Sequence, residues 1–161
     1  MTEPKPTDSR LSHVDETGRA RMVDVTAKPE TDRMARARGL IRMLPQTVAA
    51  IRANQTPKGD VLGVARVAGV QAAKRTAELI PLCHSLPLTD VDVSLELDDA
   101  LPGVRAEGMA RTVARTGVEM EAIVAVSVAL ITIYDMAKAI DKTMVLGEIE
   151  LVEKRGGRSS R

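Results

Sequence analysis

At 161 residues the chain is long enough for one domain with a sizeable hydrophobic core, and nothing in it marks a second. Its 23 Lys and Arg nearly cancel 22 Asp and Glu, so net charge does not point to a polyanion partner such as bulk DNA. There is no Phe and no Trp, and Tyr134 is the only aromatic, which removes the stacking platforms that hold single-stranded nucleic acid.

The core must therefore be built from Val, Leu, Ile, Met and Ala. Each of these buries modest area, so many must be buried, and an oligomer interface is a natural way to add burial. Cys83 is the only cysteine; an intrachain disulfide is impossible, as suits a reducing cytoplasm. The start, MTEPKPTDSR, has no apolar run and is not a secretory signal. The longest apolar stretch, AIVAVSVALITI at 122–133, falls short of the roughly 20 residues that span a bilayer. A cytoplasmic protein with no membrane partner is expected.

In chain order, residues 1–10 are polar and Pro-rich and are expected to be flexible, followed by one domain over 11–154. Partial alternation over 34–43 predicts a strand, and Pro45 then opens a short helix through Arg52. Residues 58–79 predict one long helix, apolar on nearly all sides and so buried on more than one face. Over 90–98, Val91, Val93, Leu95 and Leu97 alternate with Asp92, Ser94, Glu96 and Asp98, the pattern of a half-buried strand. DDALPG is a turn and 104–114 the returning strand. A second long helix is expected over 118–140 and a last strand over 144–153, before a flexible Gly, Ser and Arg tail at 155–161. Four strands and three helices in this order predict an α+β, ferredoxin-like βαββαβ fold: a four-stranded antiparallel sheet with the helices on one face. The other face is left for an oligomer to cover.

Four groups of residues could carry chemistry. Lys58, at the predicted start of the long helix, is either an exposed first-turn lysine or part of an anion site at a helix N-terminus. Cys83 and His84 lie between prolines and aliphatics. One Cys and two His cannot build a closed zinc site, so no metal is expected. Neighbours in an extended segment point to opposite sides, which argues against a thiol–imidazole pair. His84 is then a proton carrier or hydrogen-bond donor, or a structural histidine in a Pro-rich loop. Glu119 and Glu121 open the second long helix, where acidic residues complement the dipole; two apart, they do not share a face. Asp135, Lys138 and Lys142 are spaced to share one helix face. Asp135 follows LITIY and is expected on a buried face, where a carboxylate beside a lysine is a candidate acid–base unit. Glu121 and Asp135 are 14 residues apart, which on one helix is about 21 Å, so a single small substrate cannot touch both in one subunit. If both are functional, the site is shared between subunits.

Four segments resemble the cyclic pyranopterin monophosphate synthase family: RMVDVTAKPET, KGDVLGVARVAGVQAAKRTAELIPLCHSLPL, TGVEMEA and LITIYDMAKAIDK. They stand in the family's order, and the likeness runs from about Leu11 to the end, which makes it far more specific than a lone motif. The resemblance implies a ferredoxin-like fold and a homohexamer, a trimer of dimers with active sites at interfaces. It also implies a lyase of molybdenum-cofactor biosynthesis that converts a cyclised guanosine triphosphate into cyclic pyranopterin monophosphate and diphosphate. By the same resemblance, Asp135, Lys138 and Lys58 are catalytic. Leu82, Cys83, His84, Glu119, Met120, Glu121, Lys28, Arg33 and Lys154 bind substrate, the last pair and Lys58 suiting its phosphates. No cofactor is implied. The chain departs from the family at Ser85, where Pro is usual, and in its KRGGRSS tail, which keeps Gly156, Gly157 and a basic residue at Arg158. The competing class is a non-catalytic oligomeric nucleotide sensor, which needs the basic residues but not Asp135.

Overall fold

The computed structural model, which describes residue 14 and residues 17–157, begins its regular structure with β1 (Thr31–Arg42). Alanines alternate there with arginines: Ala35, Ala37 and Ile41 are fully buried, while Arg38 and Arg42 are exposed. α1 (Pro45–Arg52) carries its proline in the first turn, where the missing N–H costs nothing. The expected helix over 58–79 proves to be two, α2 (Val61–Lys74) and α3 (Thr76–Leu79). Its start moves because the Asp60 carboxylate accepts the Gly63 N–H at 2.9 Å, the bond of an N-cap, directly after Gly59 at φ +83. Lys58 therefore lies in the turn before α2 rather than in its first turn.

β2 (Leu88–Asp98) returns through a turn that Asp98 closes by accepting the Ala100 and Leu101 N–H groups, and β3 (Gly103–Ala114) follows. α4 (Glu119–Ala137) and β4 (Val145–Arg155) complete the chain. The sheet order is β2-β3-β1-β4, every pair antiparallel, with Thr31 opposite Ala114 and Arg42 opposite Gly103 in the central pair. This is the ferredoxin-like α+β arrangement. β4 runs through Arg155, so strand continues into the tail expected from that residue. The expected flexible segment at 1–10 and the tail from 158 on lie outside the described residues.

The face of the sheet away from the helices, the one expected to be left for an oligomer, is largely charged. It carries Arg–carboxylate pairs: Arg36 with Glu107 and Glu153, Arg38 with Glu150, Arg42 with Glu148, Arg105 with Asp98 and Arg111 with Asp32. Such exposed pairs add little stability but keep the face wet. Exposed apolar side chains lie on both layers: Val113 and Val145 on the sheet and Val64, Val67 and Ile131 on the helices are each about half exposed.

The sheet meets the helices through small residues. Ala35, Ala37, Ala106 and Ala110 are buried, and Gly39 and Gly108 stand among them. A Cβ at Gly108 would lie 3.1 Å from the Ala122 carbonyl of α4, and one at Gly39 would lie 3.0 Å from Leu130 and Val126. α4 thus lies directly on the backbone of β1 and β3, and α2 packs beside it. Ala122, Ala125, Val126, Ala129, Leu130 and Ile133 are all fully buried. By length and composition α4 is apolar enough to cross a membrane, more than its 12-residue apolar run suggested. Here it is the core helix of the domain.

α2 approaches α4 at Gly69, where an added Cβ would meet the Ala125 carbonyl at 2.8 Å. Gly69→Ala gains about 1 kcal/mol of helix propensity. It must also push a helix backbone aside, an overpacking cost of about 1–3 kcal/mol. The variant should lose up to about 2 kcal/mol in urea denaturation; the full gain of about 1 kcal/mol from helix propensity would show that the two helices do not pack this closely.

Candidate active site

α4 carries a charged cluster at each end. At its C-terminal end, Asp135 projects from the last turn and Lys138 is the capping residue. Lys138 Nζ lies 2.8 Å from Asp135 Oδ1, and Lys58 Nζ reaches Oδ2 at 2.5 Å from the turn before α2. The hydrogen bond from Lys138, then that from Lys58, holds the Asp135 carboxyl down to about 2, and the same contact raises Lys138. Asp135 is half exposed rather than on a buried face. Lys142 does not share this face, because α4 stops at Ala137 and the chain has already turned at Asp141.

At the N-terminal end the two glutamates part, as their spacing requires. Glu119 Oε1 pairs with Lys154 Nζ of β4 at 2.5 Å. Gly117 makes room for it, since a Cβ there would collide with the Glu119 carboxylate. Glu121 is 4% exposed, and burial, reinforced by the Glu119 charge, pushes its carboxyl up; its own backbone N–H and His84 act the other way. A buried carboxyl pushed toward its neutral form can donate as well as accept a hydrogen bond.

Two adjoining clefts open here. One, of 490 Å³, is lined by Val23, Val25, Leu82, Cys83, His84, Met120 and Glu121. The Cys83 N–H donates to the Ile80 carbonyl at 3.0 Å, so the segment turns rather than extends. That turn brings Leu82, Cys83 and His84 to one cleft, where the extended reading sent neighbours to opposite sides. His84 Nε2 bonds the Val23 carbonyl at 2.8 Å, which makes Nε2 the donor and leaves Nδ1 for a ligand. Burial, then the Glu121 charge, pushes the Cys83 thiol up, the wrong direction for a nucleophile. Among the described residues no three of His, Cys, Asp and Glu come together as metal ligands.

The second cleft, of 560 Å³, shares Lys28, Thr116, Gly117 and Glu119 with the first and gathers Arg33, Arg115 and Lys154 around them. Four cations against one carboxylate suit a phosphate chain. Arg33 is 8% exposed, and its guanidinium lies over Gly157, where a Cβ would sit 2.1 Å from Nη1. Gly156 and Gly157, at φ +90 and +81, turn the chain over this side chain. Arg115 escaped the sequence reading although it directly precedes TGVEMEA; it bonds the Thr26 carbonyl at 3.0 Å and faces Glu30. Val23 and Val25 were missed too, because apolar residues ahead of the first strand carry no chemical signal.

Every candidate from Lys28 to Lys154 falls within residues 22–157, and that stretch matches the MoaC family. The chain belongs to the MoaC family. A relative from Brucella ovis, cyclic pyranopterin monophosphate synthase, is 56% identical over 150 residues, spanning 93% of this chain and 91% of its own. Within this MoaC chain the candidates form two groups. Lys28, Arg33, Leu82, Cys83, His84, Glu119, Met120, Glu121 and Lys154 gather at one end of α4. Lys58, Asp135 and Lys138 stand at the other.

The buried Glu121 gives a pH test. Its folded-state value lies above the ordinary 4.5, so the unfolded chain releases this proton first and folding loses stability as pH rises from there through the folded value. Glu121→Gln removes that penalty. Its melting temperature should exceed the wild type's at neutral pH, with the gain vanishing in acid below the ordinary value. A loss at neutral pH would mean that Glu121 is held there as a stabilised anion.

Proposed function

We propose that this chain is a cyclic pyranopterin monophosphate synthase, a lyase that converts a cyclised guanosine 5′-triphosphate into cyclic pyranopterin monophosphate with release of diphosphate. Membership of the MoaC family and the 56% identical synthase from Brucella ovis support the reaction. The observation that carries the site is Asp135 gripped by two lysines, an arrangement that a mere nucleotide sensor has no use for.

The roles follow from the charge states. A carboxyl at about 2 is an anion at any working pH and a weak base while both lysines hold it. Asp135 fixes the directions of the Lys58 and Lys138 ammoniums. These serve as proton donors to the reacting rings, and Asp135 becomes basic when substrate draws one of them away. Lys28, Arg33, Arg115 and Lys154 take the phosphates, where cations stabilise the charge that grows on departing diphosphate. Glu121 and His84 Nδ1 read the polar edge of the guanine-derived ring, with Leu82, Cys83 and Met120 as the apolar walls.

The working form is a homohexamer, a trimer of dimers in the cytoplasm, with each site assembled from the two ends of α4 in different copies. Two observations support this. The 14 residues between Glu121 and Asp135 separate the groups by about 21 Å, which is too far for one small substrate to bridge. The apolar Val64, Val67 and Ile131 on the helix layer also leave surface for another copy to cover.

Incubation with the cyclised nucleotide should yield the pterin product and stoichiometric diphosphate. Asp135→Asn should lower single-turnover rates about 100-fold or more while affinity stays within a few-fold, since loss of acid–base function costs about 10²–10⁴. Arg115→Ala should chiefly raise KM. Near-normal turnover by Asp135→Asn would remove the catalytic trio from the account.

A further inference from the structure

Asp141 lies beyond the trio and touches none of it, yet it is the most fully bonded carboxylate of this region. It is 3% exposed and accepts four hydrogen bonds. Oδ2 takes the Leu44 N–H at 2.8 Å and the Thr47 hydroxyl at 3.1 Å; Oδ1 takes the Thr143 N–H at 2.8 Å and the Thr143 hydroxyl at 2.7 Å. Burial alone would raise its carboxyl, but these donors, led by the Leu44 N–H, win and lower it.

The bonds join two stretches that each carry part of the trio. On its own side, the Asp141 N–H donates to the Ala137 carbonyl, and the Lys138 N–H to that of Tyr134, so Asp141 belongs to the turn that ends α4 just past Asp135 and Lys138. On the other side, Leu44 and Thr47 are the cap and first turn of α1. From α1 the path to Lys58 is closed step by step. Asn54 leaves the helix at φ +53, the Gln55 N–H returns to the Ala50 carbonyl, and Thr56 Oγ1 and the Gly59 carbonyl bond at 2.7 Å around Lys58. Thr47 is 1% exposed and Thr56 8%, so this path is set against the domain rather than loose on its surface.

We infer that Asp141 is a positioning residue for the proposed reaction: it clamps the α1 segment, and with it Lys58, to the end of α4 that bears Asp135 and Lys138. The inference rests on the catalytic reading of that trio. The clamp lies at the end of α4 away from the cation-lined cleft, so its loss disturbs chemistry and spares binding. A shift of about 1 Å at a reacting group costs on the order of 100-fold in rate.

The test is Asp141→Asn in the full chain, assayed well below its melting temperature. Asn offers one acceptor oxygen and turns an NH₂ toward donors, so the clamp opens on one side. Turnover per folded protein should fall about 10- to 100-fold with KM within about threefold. The Asp135 carboxyl, followed by carbon NMR, should titrate above its wild-type position of about 2 as Lys58 loosens. Adding Asp141→Asn to Lys58→Ala should cost little more, because both act through one contact. Thr47→Ser, which keeps the hydroxyl, should behave as wild type, whereas Thr47→Val should move the Asp135 titration and the rate in the same direction as Asp141→Asn. If Asp141→Asn does not fold, Thr47→Val decides. A lowered melting temperature with unchanged Asp135 titration and unchanged turnover would overturn the inference and leave Asp141 merely structural. If the wild type itself does not convert the cyclised nucleotide, the proposed function fails, and the Asp135 titration still shows whether the clamp exists.

Discussion

The closeness of α4 to the sheet is the constraint on which the rest depends. Without Phe or Trp the chain cannot fill a wide gap between layers, so the layers come together. Alanines and glycines on β1 and β3 give up side-chain volume so that the alanines and valines of α4 can reach the backbone. Many short dispersion contacts at close range replace a few large aromatic ones. A helix seated this way cannot slide or roll without collision, and its two ends are fixed relative to the strands.

That rigidity makes α4 a ruler. Its first turn presents Glu119 and Glu121 to clefts framed by the ends of β1, β3 and β4, where Arg33, Arg115 and Lys154 converge. Its last turn presents Asp135 to Lys58 and Lys138. The two ends differ in electrostatic character. One is an excess of cations around a hollow, beside a carboxyl pushed toward neutrality. The other is a single carboxylate kept anionic by two ammoniums. The first suits holding a charged, hydrogen-bonding ligand, and the second suits moving protons.

Much of this was legible in the sequence, and the failures have physical causes. Strand alternation over 90–98 and the turn at DDALPG read directly, because a period of two has no rival explanation in a half-buried strand. The break between α2 and α3 did not, since apolar periodicity carries on across it; Asp60 as a cap was the available sign that the helix starts after Lys58. The face expected for Asp135 was wrong because a uniformly apolar helix gives no moment to orient it. Charged sheet residues read as a solvated face on each strand separately, but their pairing across strands depends on register, which only the assembled sheet supplies. Arg115 and Asp141 stayed hidden for a related reason: one acts from beside a motif, the other through bonds to residues nearly a hundred positions away.

The central claim is that one working site draws on opposite ends of α4 from two copies of the chain. Mixing two inactive proteins tests it most directly: one carries Asp135→Asn, the other Lys154→Ala together with Arg33→Ala. After the subunits are unfolded, mixed one to one and refolded together, a shared site regains intact halves from different copies. Activity should return to about a quarter of the wild-type value by random assortment. If mixed and separately refolded samples are equally inactive while the wild type recovers under the same treatment, both ends of α4 act within one subunit, and the shared site is refuted.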